Sequence, residues 1–249
     1  MILLQSTLLF VIGWLAGAAL NYLADVLPAA RSFTAARCHH CQQTIRWLDF
    51  LLVRKCRFCS APRSPRAWIV QVASVAAVFT IWFMPPKVLG PYLAFLVFFY
   101  FAAVLIMDVE HRIILHPVSI TGAILAVPLG FWLNGWLKTL LGGLAGFGIM
   151  LALYYFGELF SRALARARKQ PIDETALGFG DVNLSGVLGL MLGWPRITAN
   201  LFLAILLGGL VSGGYILFMV LRKRYQAFTA IPYAPFLLIA AVVLFYLAG

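Results

Sequence analysis

Four cysteines and two aspartates hold the chemistry that can be read from residue type and spacing alone. The cysteines fall as Cys38-His39-His40-Cys41 and Cys56-Arg57-Phe58-Cys59, a C-x2-C-x14-C-x2-C pattern with no cysteine elsewhere. Two such knuckles can wrap four thiolates around one tetrahedral zinc, and a short segment lacks the apolar area to fold without a staple of this kind. Two disulfides are the alternative, disfavoured where the segment faces a reducing compartment. His39 and His40, inside the first knuckle, are expected to be solvated or to support the metal site rather than bind the ion. The aspartates are Asp108, in Met107-Asp108-Val109-Glu110, and Asp181, in Gly178-Phe179-Gly180-Asp181. Two carboxyls a few ångströms apart cannot both ionise easily and so share one proton. The ionised one draws a proton from water while the other polarises a peptide carbonyl, which is aspartic protease chemistry.

The elements that must position these groups are membrane helices. Of 249 residues, 63% are hydrophobic and only 11% charged, outside the range of soluble globular domains. Eight apolar runs, at 2–24, 67–84, 91–107, 117–133, 139–160, 178–194, 199–221 and 230–248, can each cross a hydrocarbon core of about 30 Å as a helix. The expected fold is therefore an all-α polytopic membrane protein of about eight transmembrane helices. On hydropathy alone the sixth run could be a re-entrant piece. Charge decides its parity: with both termini outside, 16 of the 19 basic residues fall in cytoplasmic segments, as the positive-inside rule requires.

This reading divides the chain into a first transmembrane helix (1–27), a cytoplasmic double-CxxC zinc loop (28–66), and a seven-helix membrane domain carrying the two aspartates (67–249). The first basic residue, Arg31, follows the first apolar run, so that run is expected to be a retained anchor rather than a cleaved signal peptide. The net charge of +11 suits an anionic cytoplasmic leaflet, so membrane lipids and not nucleic acid are the expected partners. Trp47, Leu48, Phe50 and Leu51 of the loop are expected to rest on the membrane interface.

Eight acidic residues remain to be placed. Asp49, Glu110, Asp173 and Glu174 fall in connections, where a solvated role is the default. Asp25, Asp108, Glu158 and Asp181 fall at cytoplasmic helix ends, where a carboxylate needs a reason. For Asp25 and Glu158, pairing with water or a nearby arginine such as Arg112 or Arg162 suffices. For Asp181, Gly178 and Gly180 allow close backbone approach and positive φ, an unwound start that would admit water and an extended peptide.

At these residues the chain resembles the type IV prepilin peptidases, members of the GxGD class of membrane aspartyl proteases. The matching features are Asp108 with Glu110, the Gly178-Phe179-Gly180-Asp181 stretch, and the double CxxC after the first helix. Gly17-Ala18-Ala19-Leu20-Asn21 with Pro28 resembles the family's G-S-F-L-N…L-P, and Ile231-Pro232-Tyr233-Ala234-Pro235-Phe236-Leu237-Leu238 its I-P-F-G-P-F-L. The resemblance implies an enzyme of the cytoplasmic (inner) membrane that removes the basic leader from prepilin or pseudopilin precursors, serving type IV pili or type II secretion. It implies Asp108 and Asp181 as the catalytic pair. In many members S-adenosylmethionine then methylates the new N-terminus.

Departures fall mainly on the methylation half. The linker between the CxxC pairs is only 14 residues, and Gln71 stands where the family's Y-P-x-x-E places a glutamate at the start of the second helix. An amide loses the charge that would attract a cationic amine or sulfonium, so Gln71→Glu is expected to favour methylation. Leu115-His116-Pro117, Asn183 and Asp25 also depart from the family pattern without removing a catalytic acid. Two other classes share some of these features. A transporter or channel also keeps intramembrane carboxylates and glycine-broken helices, and presenilin-like GxGD proteases share the dyad but lack a zinc loop.

Overall fold

The computed structural model describes residues 2–30, 33–38, 40–168, 177–222 and 232–247. These residues form nine α-helices: α1 Ile2–Ala30, α2 Trp47–Leu51, α3 Pro65–Phe83, α4 Gly90–His111, α5 His116–Asn134, α6 Trp136–Arg168, α7 Phe179–Leu192, α8 Arg196–Leu221 and α9 Ala234–Leu247. Six of them are long and apolar enough to cross a membrane, while α7 and α9 are apolar helices of 14 residues each. The eight expected spans thus correspond to six full-length helices and two short ones. Asp173, Glu174 and His39 lie outside the described residues. The chain forms two compact units, Met1–Met107 and Asp108–Gly249.

In the first unit α1 and α3 run against each other at close range. A Cβ on Gly13 would meet the Val75 Cα at 2.7 Å, and one on Gly17 the Gln71 Cα at 3.0 Å. Two glycines one turn apart therefore remove the side chains that would hold the backbones apart, the small-residue contact typical of membrane helices. A polar lock fills this seam. Asn21 Nδ2 donates to the Ala67 carbonyl at 3.1 Å and to Gln71 Oε1 at 3.4 Å, and Gln71 Nε2 donates to the Trp14 carbonyl. Gln71 is fully buried. It therefore serves the α1–α3 contact, a role that the sequence comparison with the family's glutamate does not include. A carboxylate there would face the Trp14 carbonyl instead of donating to it.

The loop between α1 and α3 is tied down by charge and by aromatic packing. Asp25 accepts from Arg63 at 3.3 Å and from Arg66, which accounts for a carboxylate that the family pattern leaves unexplained. The Arg63 guanidinium also lies 4.4 Å above the Phe50 ring. Phe50 is buried with Val26 and Ala36, and Asp49 is buried against Arg57 at 2.6 and 3.0 Å. Both differ from the interfacial and solvated roles expected of them, because the loop has a small interior of its own. Trp47 and Leu48 are exposed. Short α2 lies along α1, with Trp47 beside Tyr22 (ring centroids 5.3 Å apart) and the Leu51 carbonyl accepting from Trp14 Nε1 at 2.8 Å.

In the second unit α7 is clasped by α5 and α6. A Cβ on Gly189 would lie 2.1 Å from the Gly142 carbonyl oxygen, one on Gly146 2.3 Å from that of Ser185, and one on Gly130 2.1 Å from that of Leu190. At the other end of α7, the Asn134 amide donates to the Met191 carbonyl at 3.0 Å. Helix α7 is thus fixed by backbone-to-backbone contact, the stiffest means available where lipid supplies no hydrophobic drive between helices. On α6 itself Glu158 pairs with Arg162 one turn on, as expected.

Gly189→Ala should therefore lower the thermal unfolding temperature of the detergent-purified protein markedly. Gly209→Ala, where nothing lies within 4 Å of the added Cβ, should leave it unchanged or raise it through the helix propensity gained, about 1 kcal/mol. Equal effects of the two substitutions would contradict the clasp.

Candidate active site

Asp181 is the third residue of α7, whose N-cap is Gly178. The first N–H groups of a helix have no partner within the helix, and an acid at the third position commonly reaches back to the cap. Here the Asp181 carboxyl accepts from the Gly178 N–H, while the Asp181 N–H donates to the Gly178 carbonyl at 3.1 Å. Of the two uses expected of these glycines, positive φ is not found: Gly178 is extended, at φ −78° and ψ 141°, and Gly180 is helical, so α7 starts as a regular helix. Close approach is found at Gly180, where a Cβ would lie 2.9 Å from the Ile114 Cβ, whereas one on Gly178 would lie in ordinary contact, 3.4 Å from Asp181 Oδ2. Phe179 between them packs edge-on against Tyr154 of α6, with centroids 5.9 Å apart.

Asp108 lies in the last turn of α4, and its carboxyl accepts from the Ala234 N–H. Ala234 is the first residue of α9, so this acid also holds a helix N-terminus. The Asp108 carbonyl accepts from the Arg112 N–H at 2.8 Å, and Arg112 turns the chain out of α4 with φ 53°. Its guanidinium charge reaches the Asp108 carboxyl. Asp108 and Asp181 are both buried, 6% and 7% exposed, and Asp181 lies within electrostatic reach of Asp108. Asp108 Oδ2 is buried with no hydrogen-bond partner. The two acids that the sequence marked are thus brought together in one unit, each held by one helix N-terminus, with Asp108 Oδ2 left over.

Tyr233 and Ala234 complete the surroundings of the acids and were not singled out by type or spacing. The only sequence signal for them was the Ile231–Leu238 stretch, read for its resemblance and not for its chemistry. Glu110, two residues beyond Asp108, lies 3.9 Å from His111.

The cysteine cluster belongs to the first unit. Cys38 Sγ lies 3.7 Å from Cys59 Sγ and Cys41 Sγ 3.6 Å from Cys56 Sγ, and all four lie within 4.8 Å of one another. A disulfide requires about 2.05 Å, so the disulfide alternative fails and the four are free thiols. Four sulfurs about 2.3 Å from one ion stand about 3.8 Å apart, which matches this cluster. The two knuckles also repeat each other. Cys38 N–H donates to the Gln43 carbonyl and Gln42 N–H to the Cys38 carbonyl; Cys56 N–H donates to Ala61 and Ser60 N–H to Cys56. Gln42 and Ser60 carry matching φ of 58° and 56°. The turns aim backbone N–H groups at sulfur. Those of Cys59 and Phe58 bring the Cys56 thiol down to about 6, and those of Cys41 and His40 lower Cys38, while burial and the neighbouring thiols push Cys41 and Cys59 up. The closeness of the four sulfurs means that the residues present could hold a metal ion.

Comparison with known proteins gives the same family. The Type IV leader peptidase family matches residues 93–213, and the Bacterial Peptidase A24 N-terminal domain matches residues 11–84. A prepilin leader peptidase/N-methyltransferase of Aeromonas hydrophila is 31% identical over 217 residues, 82% of this chain and 68% of that protein. One of Myxococcus xanthus is 28% identical over 84% of this chain and 62% of its own length, so the chain spans about two thirds of these relatives. One of Bacillus subtilis is 29% identical over 98% of this chain and 94% of its own length. No solved structure matches. With both of its parts matched by the corresponding family domains, the chain belongs to the type IV leader peptidase family.

Proposed function

We propose that the chain is a membrane aspartic endopeptidase that removes the basic leader from type IV prepilin-like or pseudopilin precursors at the cytoplasmic face of the inner membrane. The observation that carries this reading is the pair Asp108 and Asp181, buried together in one unit, with Asp108 Oδ2 free of any hydrogen-bond partner. In the reaction the water oxygen bonds to the scissile carbonyl carbon. One proton of the water passes to the ionised carboxyl, and the protonated carboxyl gives its proton to the carbonyl oxygen. When the C–N bond breaks, the leaving nitrogen takes the proton from the carboxyl that received it from water, one hydroxyl of the tetrahedral carbon gives its proton to the other carboxyl as the new C=O forms, and the dyad returns to its starting state.

The exposed Trp47 and Leu48 suit contact with the lipid interface, and the eight basic residues within 31–66 support a cytoplasmic placement of this loop, with the termini outside. The relatives are named for N-methyl transfer as well as cleavage, and S-adenosylmethionine would be the donor. Gln71, locked in the α1–α3 seam, holds no donor in this reading, so cleavage is the activity we assign and methyl transfer is scored separately. The four thiols would hold a structural zinc, with no part in bond breaking.

The test is purified protein incubated with a peptide carrying a basic leader before an apolar helix, with S-adenosylmethionine present, the products read by mass for leader loss and for added methyl groups. Asp108→Asn and Asp181→Asn should each reduce cleavage by about 100- to 10,000-fold, the usual worth of general acid–base catalysis, with expression and unfolding temperature near normal. Undiminished cleavage by either variant would end the aspartyl assignment.

For the metal, the purified protein should contain about one zinc per chain. Cys56→Ser should release it and expose the remaining thiols to alkylation, with a smaller loss of cleavage than either aspartate variant. Absence of bound metal from protein whose four thiols are all freely alkylated would contradict the site.

A further inference from the structure

Tyr233 and Ala234 are neighbours at the start of α9, and between them they reach both acids. The Ala234 N–H donates to Asp108, and the Tyr233 phenol lies within electrostatic reach of Asp181. The Tyr233 carbonyl accepts from the Phe236 N–H at 3.1 Å and the Leu237 N–H at 3.4 Å, so Tyr233 caps α9 and its backbone is fixed. Its ring packs on Phe236, centroids 6.3 Å apart, and comes within 3.5 Å of where a Cβ on Gly208 would stand. Held in this way, the hydroxyl oxygen is shut off from solvent and has no hydrogen-bond partner.

A buried hydroxyl without a partner destabilises a folded chain, and phenylalanine would fill the same ring space without that cost. Such a group next to an acid pair is accounted for if its partner arrives with the substrate. The group that arrives in need of a donor is the scissile carbonyl oxygen, which gains electron density as water attacks its carbon. We propose that Tyr233 is a third catalytic group, its O–H donating a hydrogen bond to the scissile carbonyl oxygen of the bound peptide on the Asp181 side of the dyad. The phenol keeps its proton throughout. The C=O π electrons move to the oxygen, the protonated carboxyl supplies that oxygen's proton, and Tyr233 steadies the charge while this happens. The inference rests on the aspartyl peptidase reading above. The resembling family stretch has Phe at this place, so the hydroxyl adds to a reaction the two acids perform alone, and its effect is smaller than that of a dedicated oxyanion donor.

Tyr233→Phe tests this directly, in the full-length protein with the same leader peptide. The expected result is a kcat lowered by about tenfold, KM changed by less than about twofold, and an unfolding temperature raised because the unpaired hydroxyl is gone. A role confined to packing would instead lower the unfolding temperature or leave kcat untouched, and either result overturns the proposal. If the variant matches the unmodified enzyme in kcat, Tyr233 is not catalytic and the peptidase reading stands. If the unmodified protein itself does not cleave, both readings fall together.

Discussion

A carboxylate inside an apolar layer persists only where the protein supplies the hydrogen bonds that water would otherwise give. In this chain that supply comes from helix starts. Asp181 accepts from the N-cap of α7 and Asp108 from the first residue of α9. The unsatisfied N–H groups of a helix start and the positive end of its dipole both favour a negative charge. One interaction thereby serves two needs: the helices gain caps and the acids gain donors. The position of each acid then depends on how firmly its helix is held. For α7 the holding is extreme, since glycines on α5 and α6 let its backbone touch theirs. The glycines of α6 that clasp α7 are thus as much part of the site as those beside Asp181, although they touch neither acid.

The first unit obeys the same rule with different means. Asn21 donates to Gln71 and to the Ala67 carbonyl, Gln71 donates to the Trp14 carbonyl, and Asp25 is satisfied by two arginines. Arg63 is shared between Asp25 and the face of Phe50. It therefore links α1 to the interior of the loop that carries the cysteine knuckles. A segment of this size has little apolar area, and its order comes from these few strong contacts together with the four sulfurs.

Asp108, Asp181 and the four cysteines were legible in the sequence because each depends on a local property. Rare carboxylates in an apolar chain are visible by composition, and paired CxxC spacing encodes a tetrahedron of thiols. What was not legible depended on partners far along the chain. Hydropathy records how a residue partitions between water and lipid and says nothing of which neighbour it meets. Asp49 and Phe50 therefore looked like surface residues and are buried, and the place of Gln71 in the α1–α3 seam was not visible. The glycines of Gly178-Phe179-Gly180-Asp181 were read both for close approach and for freedom of φ, whereas the structure uses only the first, at Gly180 beside Ile114. Sequence alone cannot separate these two uses of glycine, because both leave the same letter. Tyr233 was passed over for a related reason: beside a familiar pattern its hydroxyl looked like a neutral change, and only its burial next to Asp181 gives it weight.

The lengths of α7 and α9 bear on how water and peptide would reach the acids in the proposed reaction. Helices α7 and α9 have 14 residues each, which rise about 21 Å against a hydrocarbon core of about 30 Å. Each, over its described residues, is therefore about 9 Å shorter than that core. Non-helical backbone at membrane depth is tolerated only where protein or water satisfies it. In both helices the N-terminal end is the one that needs such partners, and both N-terminal ends bind an acid of the dyad. Lengthening either helix at its start would remove the N–H that holds an acid, so under the peptidase function proposed above the shortness of α7 and α9 is a condition of the chemistry and not a defect of the spans.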